Sequence, residues 1–395
     1  MDSNSDHLEQ LLRILDPSRP PREPPSADFE TPSADPDRPS LPYMPGFKAQ
    51  IQSHVAPPPF GDGALYGPWP RRQLSIAELE TMTQSELIMS HPPLEATPAA
   101  SDTEAPPETA QLTVTSHVRV GCSGGAQIVV CTVAKDGKPP FEAVAKIYDA
   151  LYYRFSHELD SRPRDVTAEA DKDYTAEATA YKHIASAGSG RASKVTPDYY
   201  GSWTFSLPIS SRGVQQMRPV RLLLIEHLKG SNLRDLRIQN SADSRDGPDA
   251  FHLPEEYRLE VLARAMDAYV RVLHCGVEQN DFSDRNIIVA STDTSTTADN
   301  TGTGLSRIAL TDYNTAIVYS CTLYGGRVEE RSALPLNPMQ WFWKEALDGD
   351  FFGWVPREWE GSRKPMQEWL VKRFGSKQQR ALYETVAEEL KFDEY

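Results

Sequence analysis

From about Thr113 the chain turns from polar, proline-broken sequence to alternating and then continuous apolar runs. Residues 118–120 and 127–133 flank a glycine turn, and 142–148 repeats the pattern, which predicts three successive strands. Leu222, Leu223, Leu224 and Ile225 form a fourth, continuous run. Between Pro254 and Leu273 the period changes. Leu259, Leu262, Ala265, Met266, Tyr269, Val270 and Leu273 trace one helical face, with Pro254 suited to the first turn. Residues 286–289 and 307–310 are two short apolar runs separated by the Ser, Thr, Asp, Asn and Gly of 291–304, which reads as a hairpin with a long loop. Residues 338–347 and 364–374 are further candidate helices. A β-rich part followed by an α-rich part is an α+β arrangement.

The front is different, because 20 of the 32 prolines fall in the first 110 residues. Runs such as Pro57, Pro58 and Pro59 favour extended, solvated backbone, so residues 1–110 are expected to be a disordered, acidic, proline-rich tail that can be removed without harm to folding. Two short helices interrupt it. Leu8, Leu11, Leu12 and Leu15 have helical spacing, and Ser75 with Glu78 makes a capping box ahead of Leu79, Met82 and Ile88. Each reads as a docking helix for a protein partner, as a strap across the folded domain, or as transient helix in a tail.

A formal net charge of -15 excludes a general nucleic-acid binder and a polybasic membrane anchor. No apolar run is long enough to span a bilayer and the first residues do not resemble a secretory signal, so an intracellular protein, cytoplasmic or nuclear, is expected. Cys122, Cys131, Cys275 and Cys321 lack metal spacing and are expected to be reduced and mostly buried. Trp341, Trp343, Trp354, Trp359 and Trp369 are expected to build an aromatic core.

The sharpest chemistry follows the long helix. Asp281 precedes Asn286 by five residues, and Asp312 follows the apolar hairpin. One carboxylate to face an acceptor hydroxyl, with an amide and a second carboxylate to hold magnesium on phosphates, is what phosphoryl transfer from ATP requires. Upstream, Lys146 ends a strand pattern and Glu177 lies on a following helix.

With these residues in this order, residues 113–395 resemble the protein-kinase-like superfamily. Within it they are similar to fungal kinase-like proteins carrying phrases such as residues 145–149, 337–339 and 354–359. The resemblance implies a bilobal fold, with an N-lobe and hinge over 111–228 and a C-lobe over 229–395, and an ATP- and magnesium-dependent phosphotransferase acting on a protein Ser/Thr hydroxyl. A small hydroxylated acceptor, or a pseudokinase scaffold, is the alternative. It implies that Lys146 holds phosphates and Glu177 pairs with it. Asp281 is then the catalytic aspartate, and Asn286 and Asp312 are the magnesium ligands. Gly121, Gly124 and Gly125 would form the phosphate loop, and Ile225, Glu226 and Leu228 the adenine-binding strand end and hinge.

The chain departs from the family pattern at its glycine spacing, at Gln279-Asn280 in place of His-Arg, and at Asp312-Tyr313-Asn314 in place of DFG. The missing arginine implies that a phosphate on the following loop does not order the site. Asn314 is expected to keep the left-handed turn that the family's glycine makes.

Overall fold

The computed structural model describes residues 35–386 and 390–392, apart from 62–64, 97–105, 123, 157–161, 188–193, 240–246, 291–306, 324, 326–332 and 348. The expected helix around Leu8 to Leu15 and the loop 291–304 lie outside the described residues. The fold is mixed α+β.

Six strands close a barrel in the order β1-β2-β3-β4-β6-β5. They are β1 (Lys48–Ser53), β2 (Thr109–Arg119), β3 (Gln127–Ala134), β4 (Phe141–Tyr148), β5 (Tyr199–Ser211) and β6 (Val214–Ile225). All pairings are antiparallel, and the strands at 127, 141 and 222 stand where the apolar patterns predicted them. Successive side chains of a strand point to opposite faces. Val129, Cys131 and Val133 therefore join Ala143, Ala145 and Ile147 and Leu222 and Leu224 in one core. The alternate positions Tyr148, Leu223 and Ile225 belong to a second, larger core. Lys146 shares the parity of that second set, which turns its amine away from the barrel interior and toward the helix that follows.

The front segment departs from the expectation of a disordered tail over 1–110. Residues 35–61 and 65–96 pack on the rest of the chain as a strap, and the domain boundary expected at 111 cuts through strand β2. Strand β1 pairs with β2, Ile51 opposite Ala110, and with β5, Gln52 opposite Thr204, which closes the barrel and removes its edges. Tyr43 and Ile51 are fully buried in the barrel core. The physical reason is that proline content describes what a segment can do alone. Here the prolines sit in extended links, and the few apolar side chains between them enter slots built by residues far along the sequence.

Two short helices of the strap, α1 (Ile76–Leu79) and α2 (Gln84–Ser90), each open on a complete capping box, at Ser75/Glu78 and Thr83/Glu86. The single helix expected from Ser75 through Ile88 is broken between Leu79 and Gln84 into these two, and of the readings left open by sequence they follow the strap. Leu79 and Leu87 pack on Tyr153, Val166 and Ala170. The last two lie in the first turns of α3 (Val166–Ser186). A second anchor is buried in the barrel: Tyr43 donates its hydroxyl to Asp149, which also holds Arg218 at 2.5 Å.

The strap meets α3 again at Asp171, whose carboxylate accepts the Leu94 N–H at 3.1 Å and lies 3.5 Å from Arg71. Burial outweighs both partners and pushes Asp171 up to about 7. Between the ordinary carboxylate value and 7 the folded state then binds the extra proton, so this group makes stability fall as pH rises through that window. Melting temperatures measured from pH 5 to pH 8 should decline, and Asp171→Asn should flatten the decline. An unchanged slope in the variant would assign the effect elsewhere.

The helical part is built on α4 (Glu255–His274), whose N-cap is Pro254 and whose apolar face is buried as its periodicity predicted. Strand β7 (Gly230–Asn232) pairs with β9 (Ile287–Ala290), which forms the expected hairpin with β10 (Arg307–Leu310). Strands β8 (Val277–Glu278) and β11 (Ile317–Val318) pair beside them. Helix α5 (Pro338–Trp341) is shorter than expected and continues as a 3-10 turn, whereas α6 (Lys364–Phe374) matches its pattern and α7 (Lys377–Arg380) follows it. Trp343, Trp354 and Trp359 are buried in the large core with Trp341 and Trp369 packed against it, so the aromatic core is present. The cysteines are free, but Cys122 and Cys321 are exposed, against the expectation of mostly buried thiols. Among the described residues no helix is long and apolar enough to cross a membrane.

Candidate active site

Lys146 stands at the end of β4 and Glu177 three turns into α3, and their side chains meet at 2.5 Å with both buried. The same amine donates to Asp312 at 2.7 Å. Burial opposes the charge on Lys146, yet the carboxylates of Asp312 and Glu177 outweigh it and hold the amine above its ordinary range. Burial likewise opposes the charge on Asp312, and Lys146 overcomes it, holding that carboxyl below its ordinary range.

Glu177 is fully satisfied. Besides Lys146 it accepts the Tyr148 hydroxyl at 2.5 Å and the Tyr313 N–H at 3.2 Å. The second of these bonds ties the residue after Asp312 directly to α3. Asp312 itself takes the left-handed backbone, with φ 64°. The left-handed position expected at Asn314 is therefore two residues earlier, and Asn314 instead turns its amide toward Asp173 at 3.4 Å.

Asp281 and Asn286 form a second group. The Asn286 amide nitrogen donates to the Asp281 carboxylate at 2.8 Å and to its carbonyl at 3.0 Å. Arg285 adds a salt bridge to the same carboxylate at 2.6 Å. Asp284 anchors this turn from below, buried between Arg234 at 3.1 Å and Arg237 at 2.5 Å. The two groups are stitched together. Thr311 N–H donates to the Asn286 carbonyl at 2.9 Å, and Gln279 donates its side-chain amide to the Thr311 carbonyl at 2.5 Å. Gln279 thus ties the segment before Asp281 to the residue before Asp312. Asn280, also left-handed at φ 61°, donates to the Thr315 carbonyl at 3.3 Å. The positive charges of Arg119 and Arg285 act on the Asp312 carboxyl in the same direction as Lys146, lowering it.

The glycine loop is held by Gln127. Its buried side-chain amide accepts the Gly121 N–H at 2.7 Å and donates to the Gly121 carbonyl at 2.8 Å. Gly121 and Gly124 have open space where a Cβ would stand, whereas at Gly125 a Cβ would lie 3.3 Å from the Asp173 carboxylate. Asp173 went unnoticed in the sequence. It is on α3 one turn before Glu177, and burial, with the carboxylates of Glu177 and Asp312 assisting, pushes it up to about 7.

Ile225, Glu226 and Leu228 adjoin the end of β6 but play unequal parts. Ile225 is buried in the core shared with Tyr148 and α3, and Leu228 packs with Ala290 and Ala309. The Glu226 carboxylate is held by Arg307 at 2.7 Å and by the Asp198 N–H at 3.1 Å.

As a donor set for a cation, Asp312 and Asn286 offer one carboxylate and one amide oxygen, since the nitrogen of Asn286 is spent on Asp281. Among the described residues no cluster of three or more His, Cys, Asp or Glu could hold a metal by itself. Two oxygen donors from the protein suit magnesium, which takes its other ligands from water and phosphate. No model of a known protein family matches the chain, and no curated protein matches it either.

Proposed function

We propose that the chain is an ATP- and magnesium-dependent phosphotransferase with a bilobal, protein-kinase-like fold. The observation that carries the reading is the Lys146, Glu177 and Asp312 triad, built from a strand, a helix and a post-hairpin turn, with the Asp281 and Asn286 pair stitched to it through Thr311. Five polar residues spread over 167 positions thus meet in two linked hydrogen-bonded groups.

In this reading the adenine lies against residues 225–228 and the phosphates run under Gly121, Gly124 and Gly125 toward Lys146 and Arg119. Asp312 and Asn286 would hold magnesium, which when bound neutralises charge on the phosphates. Asp281 orients the acceptor hydroxyl and takes its proton. Glu177 fixes the Lys146 amine by binding it in a buried site, and its bonds from Tyr148 and Tyr313 keep the carboxylate from rotating away. The acceptor is a Ser/Thr hydroxyl of a protein, or the hydroxyl of a small molecule.

A thermal-shift titration with ATP, with and without magnesium, tests it. At about 100 times its dissociation constant a ligand stabilises the fold by about 2.7 kcal/mol. The stabilisation should require magnesium and disappear in Asp312→Asn, a substitution that suits the left-handed backbone there. Asp281→Asn should still bind but transfer phosphate about 10²- to 10⁴-fold more slowly. Absence of any shift at millimolar nucleotide would remove the reading.

One observation favours the scaffold alternative. The Asp281 carboxylate is engaged by Arg285 and Asn286 together, so an acceptor hydroxyl must compete with a guanidinium. Magnesium-ATP binding without transfer to any hydroxyl, in the unaltered chain and in Arg285→Ala alike, would support that alternative.

A further inference from the structure

The strap touches the candidate site and the elements that carry it at several places. Arg38 reaches the Cys122 sulfur at 2.9 Å on the glycine loop. Gln84, buried, donates to the carbonyls of Ala150 and Tyr153 at 2.7 and 3.0 Å, in the link from β4 to α3. Leu94 holds Asp171, six residues before Glu177. Tyr66, also buried, reaches the segment after Asp312: its hydroxyl donates to the Ala316 carbonyl at 3.1 Å and accepts the Val318 N–H at 2.7 Å. The Leu323 N–H donates to the neighbouring Leu65 carbonyl at 2.8 Å.

These attachments share a logic. The Lys146 and Glu177 pair forms only if α3 sits against β4, and Tyr313 binds Glu177 only if the turn after Asp312 is held in. The link from β4 to α3, α3 itself and the turn after Asp312 are each tied to the strap: by the Gln84 side chain to backbone carbonyls, by the Leu94 backbone N–H to the buried Asp171 carboxylate, and by the Tyr66 hydroxyl to backbone. The Gln84 and Tyr66 bonds run to backbone, so they fix position whatever side chain the partner residue carries.

We propose that the strap is an intramolecular clamp on the site, with Tyr66 as the positioning residue that keeps the turn after Asp312 docked on Glu177. This deepens the proposed function and rests on it for the meaning of the site. It explains how the site is held although Gln279-Asn280 offers no arginine to bind a loop phosphate: the order a phosphate would impose is supplied by the chain's own front segment.

The test is amide hydrogen exchange on Tyr66→Phe in the full chain, read beside the thermal shift of the unaltered chain with magnesium-ATP. The ring stays, while the hydroxyl's hydrogen bonds to Ala316 and Val318 are lost. Exchange at Val318 should rise about tenfold or more. The decisive amide is Tyr313, which donates to Glu177 and does not touch Tyr66; its exchange should rise within about threefold of the rise at Val318. A change at Val318 with none at Tyr313, or no change at either, overturns the clamp. If Tyr66→Phe does not fold, the unaltered chain decides: under low denaturant the two amides should open together with the same denaturant dependence, and independent opening overturns the proposal. Failure of the unaltered chain to bind magnesium-ATP would remove the phosphotransferase reading alone, because the exchange arms still report whether strap and turn are coupled.

Discussion

A chain lacking residues 1–97 is expected to lose cooperative folding or to melt far below the full chain. The strap carries Tyr43, Ile51, Phe60, Tyr66, Leu79, Leu87 and Ile88 into buried positions. At about 1.5–3 kcal/mol for each large apolar side chain, their removal costs on the order of 10–20 kcal/mol as an upper bound. That matches the whole stability of an ordinary domain, about 5–15 kcal/mol. The deletion also uncovers the edges of β2 and β5, which invites pairing between chains. Circular dichroism melts and soluble yield measure the outcome. A truncated chain melting within a few degrees of the full one would mean that the strap rests on a body complete without it. The single change Ile51→Ala gives a milder version, with an expected loss of about 2–5 kcal/mol.

Lys146→Met should be the most destabilising single substitution in the site. It leaves the Glu177 and Asp312 carboxylates facing each other with no cation between them, and breaking a buried pair costs about 3–5 kcal/mol. Denaturant midpoints of the variant should show that loss. Adding Glu177→Gln and Asp312→Asn should recover much of it, since the cost lies in unpaired charge more than in lost contact. A surface salt bridge would give about 0–1 kcal/mol, so a loss below about 1 kcal/mol would show that water reaches the pair freely.

The strands, the long helix and the hairpin were legible in the sequence because one period governs each and the buried face is continuous. Lys146, Glu177, Asp281, Asn286 and Asp312 were legible because their order along the chain is distinctive, and the structure brings the first two to Asp312 and the next two to each other. Asp173 was not, because a carboxylate one turn from Glu177 on a polar helix looks like solvated surface until β4 and the glycine loop close over it. Gln127 was hidden for a similar reason: its polar side chain replaces backbone partners of a loop whose shape no local pattern specifies. The strap was misread because its partners are remote. Nothing near Tyr43 announces Asp149, and nothing near Tyr66 announces the turn at Ala316. The capping box at Ser75 and Glu78, being local, did show through, and it marked a part of the front segment that folds; the one at Thr83 and Glu86 went unnoticed.

The contact from Tyr66 to Ala316 spans 250 residues. During synthesis at about 5–20 residues per second, Tyr66 is added to the chain on the order of 12–50 s before the backbone it binds exists. Tyr43 and the leucines of the two capped helices wait for their partners too, as exposed apolar side chains on a nascent chain. At this end of the molecule synthesis and docking are thus separated: the front segment is made before any of the partners that secure it. A chaperone that shields the emerging front segment would raise the yield of native chain, and a messenger truncated before residue 316 would give a product with Tyr66 left undocked.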